Sequence, residues 1–181
     1  MIDDLRSATP RDPQSPRVLI SLATYNEAGN IAPLVEAIRQ HAAQAAVLII
    51  DDNSPDGTGR LADALQARLP NIHVIHRPGK LGLGTATLAA MDFAIKNDFD
   101  YLLNLDADFS HPPRFIPDLL AGMDKHDVMI GSRYVAGGGV EGEFGLKRKL
   151  MSTGINWYAR LLLGLRSKDN SGAYRCYRVA T

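Results

Sequence analysis

Asp106 and Asp108, separated only by Ala107, follow the apolar run Tyr101-Leu102-Leu103-Asn104-Leu105. Two carboxylates leaving a buried strand repel one another and lose hydration unless a cation or ligand takes them up. A carboxylate pair with oxygen neighbours suits a hard divalent ion held on a diphosphate, Mg²⁺ or Mn²⁺. Zinc would favour His and Cys. A turn capped by aspartate side chains explains the residue type but not its place after an apolar strand. His111 is within reach of the pair, but Pro112 and Pro113 after it point to a structural turn, and it is not assigned as a ligand.

A second acidic pair, Asp51-Asp52, closes the run Leu48-Ile49-Ile50. Asn53-Ser54-Pro55 reads as ordinary helix-start chemistry, which leaves the adjacent aspartates unexplained. Asp52 is therefore a candidate acceptor for a base or ribose. Thr24-Tyr25-Asn26-Glu27 fits two readings equally: a capping box, or Tyr25 and Glu27 set against a nucleotide. Lys80, in a glycine-punctuated loop, either neutralises phosphate or is simply solvated. Arg133 follows a strand in Gly131-Ser132-Arg133-Tyr134, where it could clamp a phosphate through two parallel hydrogen bonds. Arg148, inside Lys147-Arg148-Lys149, is a second phosphate candidate or else part of a solvated helix end.

The elements that must position these groups alternate along the chain. A short continuous apolar run at 18–22 reads as a strand buried on both faces, and 46–50, 72–75, 101–105 and 127–131 read as further strands. Between them, helical spacing marks Ile31, Leu34, Val35 and Ile38, then Leu61, Ala64, Leu65 and Leu69, then residues 85–96, then Phe115, Ile116, Leu119 and Leu120. Strand–helix alternation of this kind implies an α/β fold, doubly wound, with a largely parallel sheet and helices on both faces. Ligands of such sheets sit at the carboxyl ends of the strands, where every acidic segment above emerges. Residues 136–145 are glycine-rich and read as a mobile loop. Residues 147–165 combine basic residues with Trp157, Tyr158 and several leucines, which suits either an interfacial helix or a core helix.

Bulk properties narrow the class. The 181 residues suffice for one well-buried domain. Lysine plus arginine equals aspartate plus glutamate at 20 each, so there is no global basic field and no nucleic-acid partner is expected. Cys176 is the only cysteine, which excludes an internal disulfide and fits a reducing compartment. Residues 1–16 carry charges and prolines without an apolar core, and read as a disordered tail ahead of a domain spanning 17–181.

Taken together, the segments 24–27, 51–58, 80–86, 106–113, 131–134, 146–152 and 171–178 resemble the dolichol-phosphate mannose synthases of glycosyltransferase family 2, which have the GT-A fold. The resemblance covers roughly residues 17–178. Asp-Ala-Asp with Ser-His-Pro, followed by the Arg-Lys-Leu segment, is the part most particular to the polyprenyl-phosphate branch. It implies an inverting transfer of mannose from GDP-mannose to a polyprenyl phosphate. Tyr25, Glu27, Asp52, Lys80, Asp106, Ala107, Asp108 and Arg133 would bind the nucleotide sugar. Asp106, Asp108 and Ser110 would hold Mg²⁺ or Mn²⁺, and Asp108, Arg133 and Arg148 would act in catalysis. Some relatives carry glutamine at the Ser110 position, and residues 169–173 vary the more usual Thr-Ser-Gly-Phe pattern. Relatives also continue beyond the position of Thr181, so the resemblance implies a domain truncated at its C-terminus. A lipid acceptor implies peripheral contact with the cytoplasmic face of a membrane, with an oligomer or an anchoring partner supplying further attachment.

Three rivals are separable. A UDP-sugar transferase of the same family would share the fold and the Asp-x-Asp logic. A non-catalytic remnant would bind nucleotide sugar without turnover. A phosphorylated receiver module would need its acidic pair after the first strand, where this chain has Ala23-Thr24-Tyr25-Asn26.

Overall fold

A computed structural model describes residues 16–135, 154, 158, 160–162, 164, 165, 167 and 169–179. The expected tail (bar Pro16), the glycine-rich loop, Arg148 and most of the 147–165 segment lie outside them.

Among the described residues six strands form one sheet: β1 (Val18–Thr24), β2 (Ala46–Asp51), β3 (Ile72–His76), β4 (Tyr101–Asp106), β5 (Val128–Ile130) and β6 (Arg175–Arg178), in the order β3-β2-β1-β4-β6-β5. The first four are mutually parallel. β6 runs antiparallel to both β4 and β5. The sheet is thus largely parallel, as expected, with one reversed strand that the sequence pattern did not reveal.

Helices cover both faces. α1 (Ile31–His41), α2 (Thr58–Arg68) and α4 (Ile116–Gly122) pack on one side, α3 (Leu83–Lys96) on the other. α1 buries Ile31, Leu34, Val35 and Ile38 completely, on Ile20, Leu22, Val47 and Ile49 of the sheet. Each such side chain contributes roughly 1.5–3 kcal/mol. α3 lays Ala86, Ala90, Phe93 and Ala94 on Leu19, Leu48, Ile50 and Leu102; the small alanines let the helix sit close to the strands.

Two helical faces differ from expectation. α2 turns Ala62 and Leu65 inward, while Leu61 is 40% exposed and Ala64 faces solvent. Gly59, Ala62 and Leu65 can approach the sheet more closely than the bulkier phase could. Phe115 belongs to a short 3₁₀ turn, Pro113–Phe115, and lies in the open, so only Ile116, Leu119 and the partly buried Leu120 of that set face the core. α3 also begins at Leu83, two residues earlier than the pattern suggests. Gly82 adopts φ 93° ahead of it, a left-handed conformation open to glycine.

Candidate active site

The register fixes what meets at the carboxyl edge. Thr24 pairs with Asp51 and Ala23 with Asp106, so both acidic segments emerge on either side of the end of β1. Because β6 is reversed, its start reaches the same edge, next to Gly131 at the end of β5. The Gly131 amide donates to the Tyr174 carbonyl at 2.9 Å. A Cβ at Gly131 would meet the Tyr174 ring at 2.5 Å, so only glycine fits there.

At the end of β4, Asp108 is exposed and Asp106 partly so. Burial and then the charge of Asp108 push the Asp106 carboxyl above the usual range, while His111 and Arg133 oppose the rise. Burial also works to raise Asp108, but hydrogen bonds from Ser110 outweigh it and hold this carboxyl low. The Ser110 amide donates to Asp108 Oδ1 at 3.0 Å. Between them Phe109 takes φ 61°, which costs a bulky residue about 1–2 kcal/mol. Its ring packs on the main core in return.

His111 holds this turn from beneath. Its Nδ1 accepts the Asp106 amide at 3.1 Å, its ring stacks on Tyr174 at 4.9 Å, and the Tyr174 hydroxyl donates to the Pro112 carbonyl at 3.2 Å. Burial lowers the His111 pKa despite the nearby aspartates. A neutral, Nδ1-accepting imidazole acts here as a structural support.

Neither Asp106 nor Asp108 is ion-paired to lysine or arginine among the described residues. No third His, Cys, Asp or Glu joins them there in a metal-holding group. Two carboxylates with open oxygens, leaving the other positions to Ser110, water and substrate phosphates, fit Mg²⁺ or Mn²⁺. The donor set therefore suits the ion. Ala107 is only 3% exposed and its methyl is part of the core. Its side chain is thus not available to a nucleotide, and only its backbone could be offered.

The first acidic pair is built differently. Asp51 accepts the Thr24 hydroxyl at 3.1 Å, the Ser54 hydroxyl at 2.5 Å and the Ser54 amide at 3.1 Å. Asp52 Oδ1 accepts Arg77 Nε at 2.5 Å, and both side chains are at most 10% exposed. Arg77 continues to the Thr85 hydroxyl at 2.6 Å, tying β2 to the start of α3. Asn53, Ser54 and Pro55 do not start a helix. The cap position of α2 is Gly57, and the Asp56 carboxylate accepts the Thr58 amide and hydroxyl at 3.0 and 2.6 Å.

The capping-box reading of residues 24–27 does not hold. α1 starts at Ile31, Thr24 bonds to β2, and Glu27 accepts the Asn30 side-chain amide at 2.8 Å. Tyr25 is left exposed at the edge with Lys80 Nζ 4.5 Å above its ring, so these two candidates meet.

Arg133 is already engaged. Its Nε and one Nη donate to Asp169 at 2.8 and 2.9 Å, and the same Nη to Ser171 at 3.0 Å. The paired donors expected to clamp a phosphate are thus taken by a fully buried carboxylate, and the second Nη is what remains. Burial would raise Asp169, but the Arg133 hydrogen bonds hold it at about 2. Arg133 still sits close enough for its charge to act on Asp106.

A cleft of about 250 Å³ opens beside Asp106, between α3 and the start of β6. Asp52 does not line it. It lies two strands away, about 10 Å along the sheet edge, under Arg77. Sequence reasoning missed Arg77, Asp169, Asn104 and Arg175. Arg77 carried one usable signal: it directly follows β3 at the edge where a buried acid needs a cation.

A mostly parallel sheet with an Asp-x-Asp turn beside its switch point defines a Rossmann-like fold of the GT-A type. Solved structures of the same fold include glucosyl-3-phosphoglycerate synthase from Mycobacterium tuberculosis in complex with phosphoglyceric acid, at TM-score 0.66 and 17% identity, covering 91% of this chain and 57% of that one. TarS from S. aureus, residues 1–349, matches at TM-score 0.62 and 19% identity, over 91% and 47%. The Glycosyl transferase family 2 model matches residues 20–180, and the chain belongs to that family. Among its relatives, polyprenol monophosphomannose synthase of Mycolicibacterium smegmatis is 42% identical over 173 residues, which is 94% of this chain and 64% of the relative. Undecaprenyl-phosphate mannosyltransferase of Micrococcus luteus is 39% identical over 165 residues, 91% of this chain and 68% of the relative. The chain thus spans about two thirds of their length.

Proposed function

We propose that this chain transfers mannose from GDP-mannose to a polyprenyl phosphate, inverting the anomeric centre. The observation that carries the reading is the Asp106–Asp108 pair, without a lysine or arginine ion-pair partner among the described residues, on a turn braced by His111. The names of the two relatives supply the acceptor class and the sugar.

One bond forms, from an acceptor phosphate oxygen to the anomeric carbon, and one breaks, from that carbon to the GDP oxygen, which leaves with the electron pair. The transition state resembles an oxocarbenium ion. A phosphate acceptor is already anionic near neutral pH, so no general base is required. Asp106 and Asp108 would hold Mg²⁺ or Mn²⁺, which supplies positive charge against the departing diphosphate. The Arg133 Nη left without a partner among the described residues and, outside them, Arg148 would meet phosphate oxygens. Tyr25 and Lys80 would face the nucleobase and ribose with Glu27, and Asp52 would offer its second carboxylate oxygen.

Peripheral membrane contact belongs to the same reading. Tyr158, Leu161, Leu162 and Leu165 are 62%, 66%, 60% and 38% exposed, as an interfacial segment on the cytoplasmic face would require. No helix among the described residues is long and apolar enough to cross a membrane.

The test is incubation with GDP-mannose, a short polyprenyl phosphate and Mn²⁺. The expected result is a mannosyl-phosphoryl lipid, together with thermal stabilisation by GDP-mannose of about 2.7 kcal/mol at a hundredfold excess over Kd. Product from UDP-glucose and none from GDP-mannose overturns the donor. Binding of GDP-mannose without turnover leaves a nucleotide-sugar-binding protein.

A further inference from the structure

Midway down the sheet the register aligns Ser21 of β1, Asn104 of β4 and Arg175 of β6 across three neighbouring strands. One step lower on the same face stand Leu19 and Leu102, both fully buried against α3. The polar row interrupts an otherwise apolar surface. It forms the floor of the cleft beside Asp106, with Leu83 and Thr87 of α3 as one wall. Asn104 precedes Asp106 by two positions along the strand, so the floor lies about 7 Å below the carboxyl edge.

Hydrogen-bond accounting leaves donors over. The Ser21 hydroxyl donates to Asn104 Oδ1 at 2.5 Å. That uses the amide oxygen and leaves the Asn104 NH₂ without an acceptor among the described residues. Arg175 Nε donates to the Gly172 carbonyl at 2.8 Å and one Nη to the Asn170 carbonyl at 2.7 Å. Both acceptors are neutral, no carboxylate pairs with Arg175 among the described residues, and its second Nη is unused there. Both side chains are half-buried, where unpaired donors cost free energy until an acceptor arrives.

The cleft therefore offers N–H donors at its floor and a carboxylate, Asp106, at its mouth. An apolar occupant would strand the donors. A simple anion would be repelled by Asp106. A ring carrying several hydroxyls, each able both to accept and to donate, satisfies both ends.

We propose that Asn104 and Arg175 determine which sugar is transferred, by donating hydrogen bonds to hydroxyls of the donor hexose at the floor of this cleft. The proposal rests on the reading that a sugar diphosphate is held at Asp106 and Asp108. It goes beyond that reading in naming the residues that distinguish the sugar from the nucleotide. Sites that hydrogen-bond a substrate hydroxyl discriminate well, because a substrate lacking it leaves buried donors unpaired.

The experiment is calorimetric titration with GDP and with GDP-mannose, each with Mn²⁺, on the unaltered chain, Asn104→Leu and Arg175→Met. Only variants with wild-type melting are read. Two variants on separate strands guard against one failing to fold. The unaltered chain should bind GDP-mannose more tightly than GDP. In either variant, GDP affinity should stay within about twofold while the advantage of GDP-mannose shrinks by about tenfold, the worth of a typical hydrogen bond. Preference for GDP-mannose over GDP-glucose in turnover should fall with it. An equal advantage in all three proteins, or none in the unaltered chain, overturns the proposal while GDP binding keeps the functional reading intact. If GDP itself does not bind the unaltered chain, the functional reading fails and takes this proposal with it.

Discussion

Two acidic strand ends, alike in sequence, have different chemistry in the fold. At the end of β2 each aspartate is satisfied from within: Asp51 by Thr24 and Ser54, Asp52 by Arg77. At the end of β4 the aspartates meet Ser110, a neutral histidine, the more distant charge of Arg133 and each other's charge, with no lysine or arginine ion-paired to them among the described residues. Crowded carboxylates after a buried strand thus signal that compensation is needed but not where it comes from. In one case the fold supplies it; in the other, on the function proposed above, it is left to a cation from outside. The first pair is scaffold with one oxygen to spare, and the second is the docking point that proposal requires.

Asp108→Asn should separate the two most sharply. Turnover should fall at least about 10²-fold, the scale seen when a transition-state charge partner is removed, and the Mn²⁺-dependent rise in melting temperature should vanish. Metal-free stability should stay within about 0.5 kcal/mol, because the side chain is exposed. A metal-free loss of several kcal/mol would make this pair structural like the first.

Arg77→Met addresses the other end. Leaving Asp52 buried and unpaired should cost about 3 kcal/mol in urea unfolding, with the Mn²⁺ response retained. Arg77→Met/Asp52→Leu should recover most of that loss, since an apolar pair of similar volume often replaces a buried ion pair without penalty. If the double variant is no better than the single, Arg77 acts through Thr85 and the α3 loop rather than by compensating Asp52.

What the amino-acid pattern revealed follows from which faces are buried. Strands β1, β2 and β4 are covered on both sides, so their apolar runs are continuous and easily read. β6 is not: Cys176 is wholly buried while Arg175 and Tyr177 face the half-open cleft side, and Arg-Cys-Tyr-Arg does not look like a strand. In α2 the inward positions are small, so the larger but exposed Leu61 misled the phase. Asp106 and Asp108 were legible because nothing nearby in sequence neutralises them. Arg77 and Asp169 were not, because they compensate charges 25 and 36 residues away, a pairing that only the sheet order creates. Asn104 was hidden inside an apolar run as a single polar residue whose face could not be known.

The weakest contrast lies between the two strand ends, where Lys80 stands over Tyr25. Both groups are exposed, so Lys80→Met should leave stability within about 0.5 kcal/mol. GDP affinity should fall about fivefold, the worth of an exposed cation–π contact. Two roles are open to this lysine, and they respond differently to its neighbours. If it acts by fixing the tyrosine ring beneath a nucleobase, Lys80→Arg should bind GDP normally, and Tyr25→Leu should lose no more when combined with Lys80→Met than alone. If it acts on phosphate directly, the two losses should add, because sites that do not share a partner are independent. The loss in Lys80→Met should then also shrink in 0.5 M salt, where exposed charges are screened. Shared loss would place Lys80 with the built-in scaffold around Asp52, and additive loss would place it with the open, ligand-completed chemistry around Asp106.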